Sequence, residues 1–376
     1  MEKAPENDST VRSALSSALR QLNERLSYKR APVRKLESVL ELKKKDRLLA
    51  LTKALQISGS SHTKKSELTA AIAGELQKET VLEAILTGTT AAEFDLFVRA
   101  AEEDVFFRAD ESIPMQALVL FGLCAAFLEE DRVRVLVPDE LKALWAEMKK
   151  GDFIRRKELI ELIHRYALAA VHLYGQIRLK ALARLVERFE EEEVNEEDVR
   201  SSVTAHLNRE PPYYLWDDRV VHPVFSQDTE SLEALIDSSA DIPRFVPDTR
   251  EELLRYSDPA YMEDCDEYRA LVDFLTEDIG DSRMGPLMAG DVKEVLAAGT
   301  TDDNCMLMLR TCGLEYDEPE ISAKVYSLLR GMRRKTRYWA LRGHTEAEKR
   351  VLETPARNDK CPCGSGAKYK KCCAGK

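Results

Sequence analysis

Four of the eight cysteines fall in the last sixteen residues: Cys361-Pro362-Cys363, an eight-residue gap, then Cys372-Cys373. Tyr369 is the only aromatic residue among them. So short a stretch has too little apolar surface to offset the entropy of ordering, and it folds only if something cross-links it. Four thiols this close offer a metal site or two strained disulfides. The start of the chain, Met1 to Asp8, carries acids and no apolar core of a secretory signal, so a reducing, cytoplasmic setting is expected. That setting favours metal, and thiolates favour zinc. Cys-x-Cys supplies two sulfurs from one short arm, and Gly364-Ser365-Gly366 lets the chain reverse. Four thiolates leave about −2 of charge on a zinc site, and Lys360, Lys368, Lys370 and Lys371 surround it. The expectation is one structural Zn²⁺ on Cys361, Cys363, Cys372 and Cys373.

The segment Arg357-Asn358-Asp359-Lys360-Cys361-Pro362-Cys363-Gly364-Ser365-Gly366-Ala367-Lys368-Tyr369-Lys370-Lys371-Cys372-Cys373 resembles the SEC-C motif. That motif is the zinc-binding tail of the bacterial preprotein translocase ATPase SecA, and other bacterial proteins carry it on unrelated bodies. Its pattern is Cys-x-Cys-x-Ser-Gly, five residues, then Cys and His or Cys. Cys373 fills the variable position, and Lys360 stands where proline is commoner. The resemblance implies zinc and a binding role, not an activity. Upstream, Arg333 to Glu346 is similar to the approach to the tail in a group of Gram-positive SEC-C proteins. Its arginines and aromatics interleave as on nucleic-acid surfaces. The alternative is a helix end in which Tyr338 and Trp339 close a core while the arginines sit in water.

A chain of 376 residues predicts roughly two to four units at the usual domain size. The composition, 44% apolar, 33% charged and 7% aromatic, favours helix and excludes collagen-like, mucin-like and disordered classes. Membrane insertion is not expected, because the longest apolar run, Met115 to Leu128, is interrupted by Gln116 and too short for a bilayer. Charge is segregated: residues 1–65 balance to +8, residues 330–376 to +10, and residues 66–329 to −29. Basic ends on an acidic body suit anion-binding termini, or simply solvated helix faces.

The fold expected is mainly α: a multi-unit helical protein with winged-helix-like modules and a small C-terminal zinc knuckle. Residues 1–35 read as a polar helix, with Leu15, Leu19, Leu22 and Leu26 at helical spacing, and a linker at Ala31-Pro32. Residues 36–79 read as one helix to about Ile57, ended by a left-handed Gly59, then a second capped within Ser60 to Thr63. This pattern is similar to the helix–extended–helix modules (SAP, HeH and the N-terminal subdomain of the terminator Rho), which implies phosphate contacts at Lys64 and Lys65. Residues 80–150, with helices, a turn near Gly122 and a strand at Val133 to Val137 followed by Pro-Asp-Glu-Leu, read as a winged-helix-like unit. Residues 151–225 read as helices Lys157–Tyr174 and Leu179–Phe189, a third capped by Asn195, and two strands around Asp217-Asp218. Three helices and a hairpin make a winged helix, but acids at 192, 193 and 196–198 crowd the third helix and would repel phosphate. Nine cations between 149 and 184 leave protein contact or an unusual nucleic-acid face open. Residues 226–345 read as an acidic helical domain, and residues 355–376 as the knuckle.

Phosphate-loop, dinucleotide, nucleophile-elbow and zincin motifs are absent. His164 and His172 are two turns apart on one helix and cannot share an ion. Cys124 reads as core. Acids beside Cys265 should raise its pKa, the wrong direction for a nucleophile. The functional expectation is a non-catalytic adaptor or regulator that docks a protein or ribonucleoprotein partner through its tail. The alternative is a nucleic-acid-binding protein using the N-terminal module and winged-helix units, and the third reading is an enzyme with a site no motif betrays.

Overall fold

Leucine spacing builds the first helices of the computed structural model. It describes residues 6–59, 62–207, 212–279, 282–314, 316, 318–349, 358, 360–361 and 365–372. These fold mainly as helix with two small sheets. The chain divides into two compact units, Met1–Glu161 and Leu162–Lys376. Among the described residues, no helix is long and apolar enough to cross a membrane.

In the first unit, α1 (Glu6–Leu26) is less leucine-driven than its spacing suggests. The Leu15 side chain lies outside the described ones; among those described, Leu22 is exposed, Leu19 and Leu26 are half-buried, and the buried one is Asn23, whose amide donates to the carbonyls of Ala109 (2.9 Å) and Glu111 (2.8 Å). The single helix expected before Ile57 is two, α2 (Leu36–Glu41) and α3 (Lys45–Ala54). The left-handed residue that ends α3 is Gln56, φ 55°, not Gly59. Helix α4 (Lys65–Leu76) packs on both, burying Leu68, Ile72 and Leu76 against Leu36, Leu40, Leu48 and Leu51. Its N-cap is Lys64, one residue past Thr63. Ser60 and Ser61, offered as caps, lie outside the described residues.

Helix α5 (Glu79–Thr87) leads to α6 (Ala91–Glu102), whose cap Thr90 accepts from the Glu93 N–H while the Glu93 carboxylate accepts from Thr90 N (3.0 Å). Three antiparallel strands follow: β1 (Val105–Arg108), then, after α7 (Gln116–Phe121), β2 (Ala125–Glu129) and β3 (Arg132–Leu136), in the order β1-β3-β2. Register sets Val105 opposite Val135 and Ala125 opposite Leu136. The strand expected at 133–137 is thus the centre of a sheet. The run Met115–Leu128 holds a helix, a left-handed turn at Gly122 (φ 81°) and a strand. Helix α8 (Asp139–Met148) brings Trp145 edge-on to Phe94, Phe97 and Phe153, with ring centroids 5.5–6.0 Å apart.

The second unit takes over within α9 (Phe153–Tyr174), which ends at a left-handed Gly175 as its sequence predicts. Then come β4 (Gln176–Arg178), α10 (Leu179–Phe189), α11 (Glu196–Ala205), β5 (Tyr214–Trp216) and β6 (Arg219–Val221). Asn195 caps α11 through the N–H groups of Glu197 (2.8 Å) and Asp198 (3.1 Å). The expected helices and hairpin are present. A third strand, β4, pairs with β6 to give the antiparallel order β4-β6-β5.

Helices α12 (Thr229–Ser239) and α13 (Arg250–Arg255) begin at Asp228 and Thr249 caps. Next, α14 (Asp266–Ile279), α15 (Met284–Ala297), α16 (Asp302–Thr311) and α17 (Pro319–Arg333) bury Leu271, Leu275, Val292, Leu296, Leu309 and Leu329 together. The prolines punctuate rather than break: Pro286 and Pro319 sit in first turns, where a missing N–H costs nothing. A Cβ on Gly285 would stand 2.0 Å from Thr276 Oγ1, so α14 and α15 approach closely only with glycine there. Short α18 (Glu346–Lys349) follows.

Around residues 333–346 the aromatics do close a core. Trp339 is buried and its indole N–H donates to the His172 carbonyl (3.0 Å). The arginines are not all in water, however: Arg337 pairs with Glu263 (2.9 Å) and Glu348 (3.1 Å), and Arg333 with Asp302 (2.5 Å).

Candidate functional site

The C-terminal segment makes a small hairpin. Lys360 bridges Lys368, and the Cys361 N–H donates to the Ala367 carbonyl at 2.8 Å. Gly366 turns the chain at φ 70°, the reversal its sequence predicts; Gly364 lies outside the described residues. Cys361 is buried and Cys372 half-buried, with Ser365 Oγ 3.1 Å from Cys372 Sγ. Cys363 and Cys373 lie outside the described residues. Tyr369 opens a single 3-10 turn, is 4% exposed, and donates its hydroxyl to the Asp241 carbonyl at 2.6 Å. Lys360, Lys368, Lys370 and Lys371 are all exposed.

The acceptor strip that holds Tyr369 holds two other side chains. Arg342, itself left-handed at φ 49°, donates to the Ile242 carbonyl (2.6 Å), and His344 Nε2 donates to the Pro243 carbonyl (3.0 Å). The Arg337 guanidinium lies 3.4 Å from the Phe245 ring centre.

Ala240, just before that strip, lines a cleft of about 480 Å³. Its cations are Arg178, Lys180, Arg184, Arg219, Arg244 and Arg342, against the acids Glu196, Asp218 and Asp237. Arg219 is buried there and donates to Gln176 Oε1 (2.6 Å). Burial first, then the neighbouring charge of Arg178, lower its pKa. Of these two causes, only the neighbouring positive charge favours an anion; burial disfavours any charge.

The other expected contacts fare unevenly. Lys64 is exposed at the α4 N-terminus. Lys65 spans to α2 and donates to the Glu41 carbonyl (2.7 Å), one of the last carbonyls of that helix. Among the scattered thiols, Cys124 and Cys305 are buried in cores, and burial pushes Cys305 up to about 11. Cys265 is raised, the expected direction, but by burial first and Glu267 after it rather than by the flanking Asp264 and Asp266. The cleft escaped the sequence reading because Arg178, Arg219, Arg244 and Arg342 are separated by long stretches of chain and match no motif.

The family model of the SEC-C motif matches residues 357–375, so the hairpin with Cys361, Tyr369 and Cys372 is a SEC-C motif. No match was found among curated proteins or among solved structures. The donor chemistry fits the metal this type of motif holds. The two described cysteines flank a reversed chain, one of them sheltered from water, and the nearby side chains are cationic.

Proposed function

We propose that this protein is a non-catalytic, zinc-binding, cytoplasmic adaptor that docks a macromolecular partner through its SEC-C tail. Cys361, Cys363, Cys372 and Cys373 hold one zinc ion, which supplies no chemistry beyond folding the knuckle. The observation that carries the reading is the division of labour within the 3-10 turn. Tyr369 is buried against Asp241 while Lys368, Lys370 and Lys371 face solvent. One side chain fixes the tail and three cations stand on its outer side, an arrangement suited to an acidic protein or ribonucleoprotein surface. The test is capture of partners from lysate by the full chain and by Cys361→Ser and Lys368/Lys370/Lys371→Glu variants, each with and without nuclease. Capture that survives both variants removes the tail from the function.

A second reading is nucleic-acid binding, favoured by the six cations of the cleft. The order helix, strand, helix, helix, strand, strand around it is that of a winged helix, and Lys180 and Arg184 project from α10. Glu196, from the acidic first turn of α11, lines this cleft too, but with Asp218 and Asp237 it makes three acids against six cations. The N-terminal module contributes less, since Lys65 is engaged on α2. Binding to random duplex or RNA that falls steeply with salt, and is weakened by Arg178→Glu with Arg184→Glu, supports this reading; salt-independent or absent binding removes it.

A further inference from the structure

Three side chains distant in sequence meet inside the second unit: His172 near the end of α9, His222 just after β6, and Glu294 on α15. One ligand atom from each lies within 4.8 Å of the others. His222 Nε2 is 3.0 Å from Glu294 Oε2, and His172 Nε2 is 3.5 Å from Glu294 Oε1. Bonds of about 2.0–2.1 Å to a tetrahedral zinc ion set neighbouring ligands a little over 3 Å apart. The observed spacings bracket that value. Both histidines are buried, and Glu294 nearly so.

The hydrogen bonding points the same way. The His172 Nδ1–H donates to the Tyr256 carbonyl at 2.8 Å, so a neutral ring turns the Nε2 lone pair toward Glu294. This is the outer bond by which ligating histidines are usually oriented. Glu294 Oε1 is buried and accepts no hydrogen bond. Two acceptors, a ring nitrogen and a carboxylate oxygen, therefore face each other across 3.5 Å with nothing to share. A buried acceptor left so costs about 1–3 kcal/mol unless a cation or proton fills the gap. Lys293, the adjacent cation, is turned onto the Pro259 and Tyr261 carbonyls (2.5 and 3.0 Å).

We propose that His172, His222 and Glu294 form a second divalent-metal site, of zinc type, separate from the cysteine tail. His172 Nε2, His222 Nε2 and a Glu294 oxygen are the protein ligands, and a water completes four-coordination. His222 binds as the tautomer protonated at Nδ1. Binding therefore replaces two contacts, the His222 Nε2–H bond to Glu294 Oε2 at 3.0 Å and the longer Val224 N–H to Nδ1 at 3.3 Å. The ion clips together α9, the end of β6 and α15, elements separated by 50 and 72 residues along the chain and so expensive to hold by chain entropy alone.

The experiment uses the full chain carrying Cys361→Ser and Cys372→Ser, which disables the tail and leaves this cluster intact. After dialysis against zinc, metal analysis is expected to give one equivalent per chain. Cobalt(II) is expected to give ligand-field absorption without the thiolate charge-transfer band of the tail. Adding Glu294→Gln, which keeps the shape, should remove that equivalent, and His222→Gln should do the same. Circular dichroism and thermal melting without metal check that each variant is folded. Added zinc should raise the thermal midpoint of the tail-disabled chain and leave that of the Glu294→Gln form unmoved. Less than one tenth of an equivalent in the tail-disabled chain overturns the proposal, as does zinc retained after both cluster substitutions. Either failure leaves the SEC-C reading untouched, because the tail is disabled throughout.

Discussion

The Tyr369 hydroxyl stands 2.6 Å from the main-chain oxygen of Asp241, a residue 128 positions earlier in the chain. The bond fixes a metal-motif hairpin to the second unit at one aromatic ring. Tyr369→Phe keeps the ring and removes the bond, so docking should weaken by about 1 kcal/mol. Tyr369→Ala should release the hairpin altogether. Hydrogen exchange of amides 360–372 reads both: modestly faster in the first variant and near the unprotected rate in the second. Equal protection in all three proteins would contradict the docking role.

On the proposed zinc site, Cys361→Ser is expected to lose the metal and the Cys361–Ala367 hairpin bond with it, since metal binding would supply the folding free energy of so small a segment. The main thermal transition should stay where it was, because the cores around Leu271 and Leu36 contain none of these residues. Proteolysis should cut within residues 357–376 while calorimetry shows an unmoved midpoint.

Lys43 is buried, donates to the Val119 carbonyl at 2.6 Å, and has its pKa lowered to about 8, chiefly by burial and then by Arg47. An unfolded lysine titrates near 10.4, so between those values the unfolded chain holds more protons and stability rises with pH. Below pH 8 the cost of charging is fully present, about 3 kcal/mol at 1.36 kcal/mol per pH unit. Urea unfolding of the native chain and of Lys43→Met, compared from pH 7 to 10.5, should show the native curve gaining on the variant by an amount of that order. Parallel curves would mean that Lys43 reaches water.

Gly175→Ala tests the core under Trp339. The position has φ 73°, and a Cβ there would lie 2.7–2.9 Å from three indole carbons. Left-handed strain and overpacking together predict a loss of about 2–4 kcal/mol. Denaturant unfolding followed by tryptophan fluorescence measures it. A loss under about 0.5 kcal/mol, the size of an ordinary surface change, would show that the ring shifts freely.

Local signals in the sequence were readable where the structure is itself local. Helix Leu179–Phe189, the Asn195 cap and the Tyr214–Val221 hairpin depend on neighbours within a few residues, and each stands where its pattern puts it. Strand Gln176–Arg178 does not, because three residues become a strand only by pairing with Arg219–Val221, some forty positions on. In Met115–Leu128 a run that is apolar past Gln116 hides a helix-to-strand change that Gly122 alone marks. The site divides likewise. Cysteines crowded into one short tail declare a shared chemistry, whereas six cleft cations reach one place from β4, α10, β6 and the segments at Arg244 and Arg342. His164 and His172 stand too far apart along one helix to share an ion, whereas His222 and Glu294 reach His172 from elsewhere in the chain. His164 instead stacks on His206, centroids 3.7 Å apart.

Asp241, Ile242 and Pro243 receive Tyr369, Arg342 and His344 through carbonyl oxygens, not side chains. Every amino acid carries that oxygen, so mutational drift at these three positions leaves the acceptors in place as long as the backbone path is kept. The burden of maintaining the dock falls on one partner only, the incoming Tyr, Arg and His. A socket of this kind tolerates changing side chains on the body as long as Tyr369 is kept on the motif and Arg342 and His344 on the segment before it.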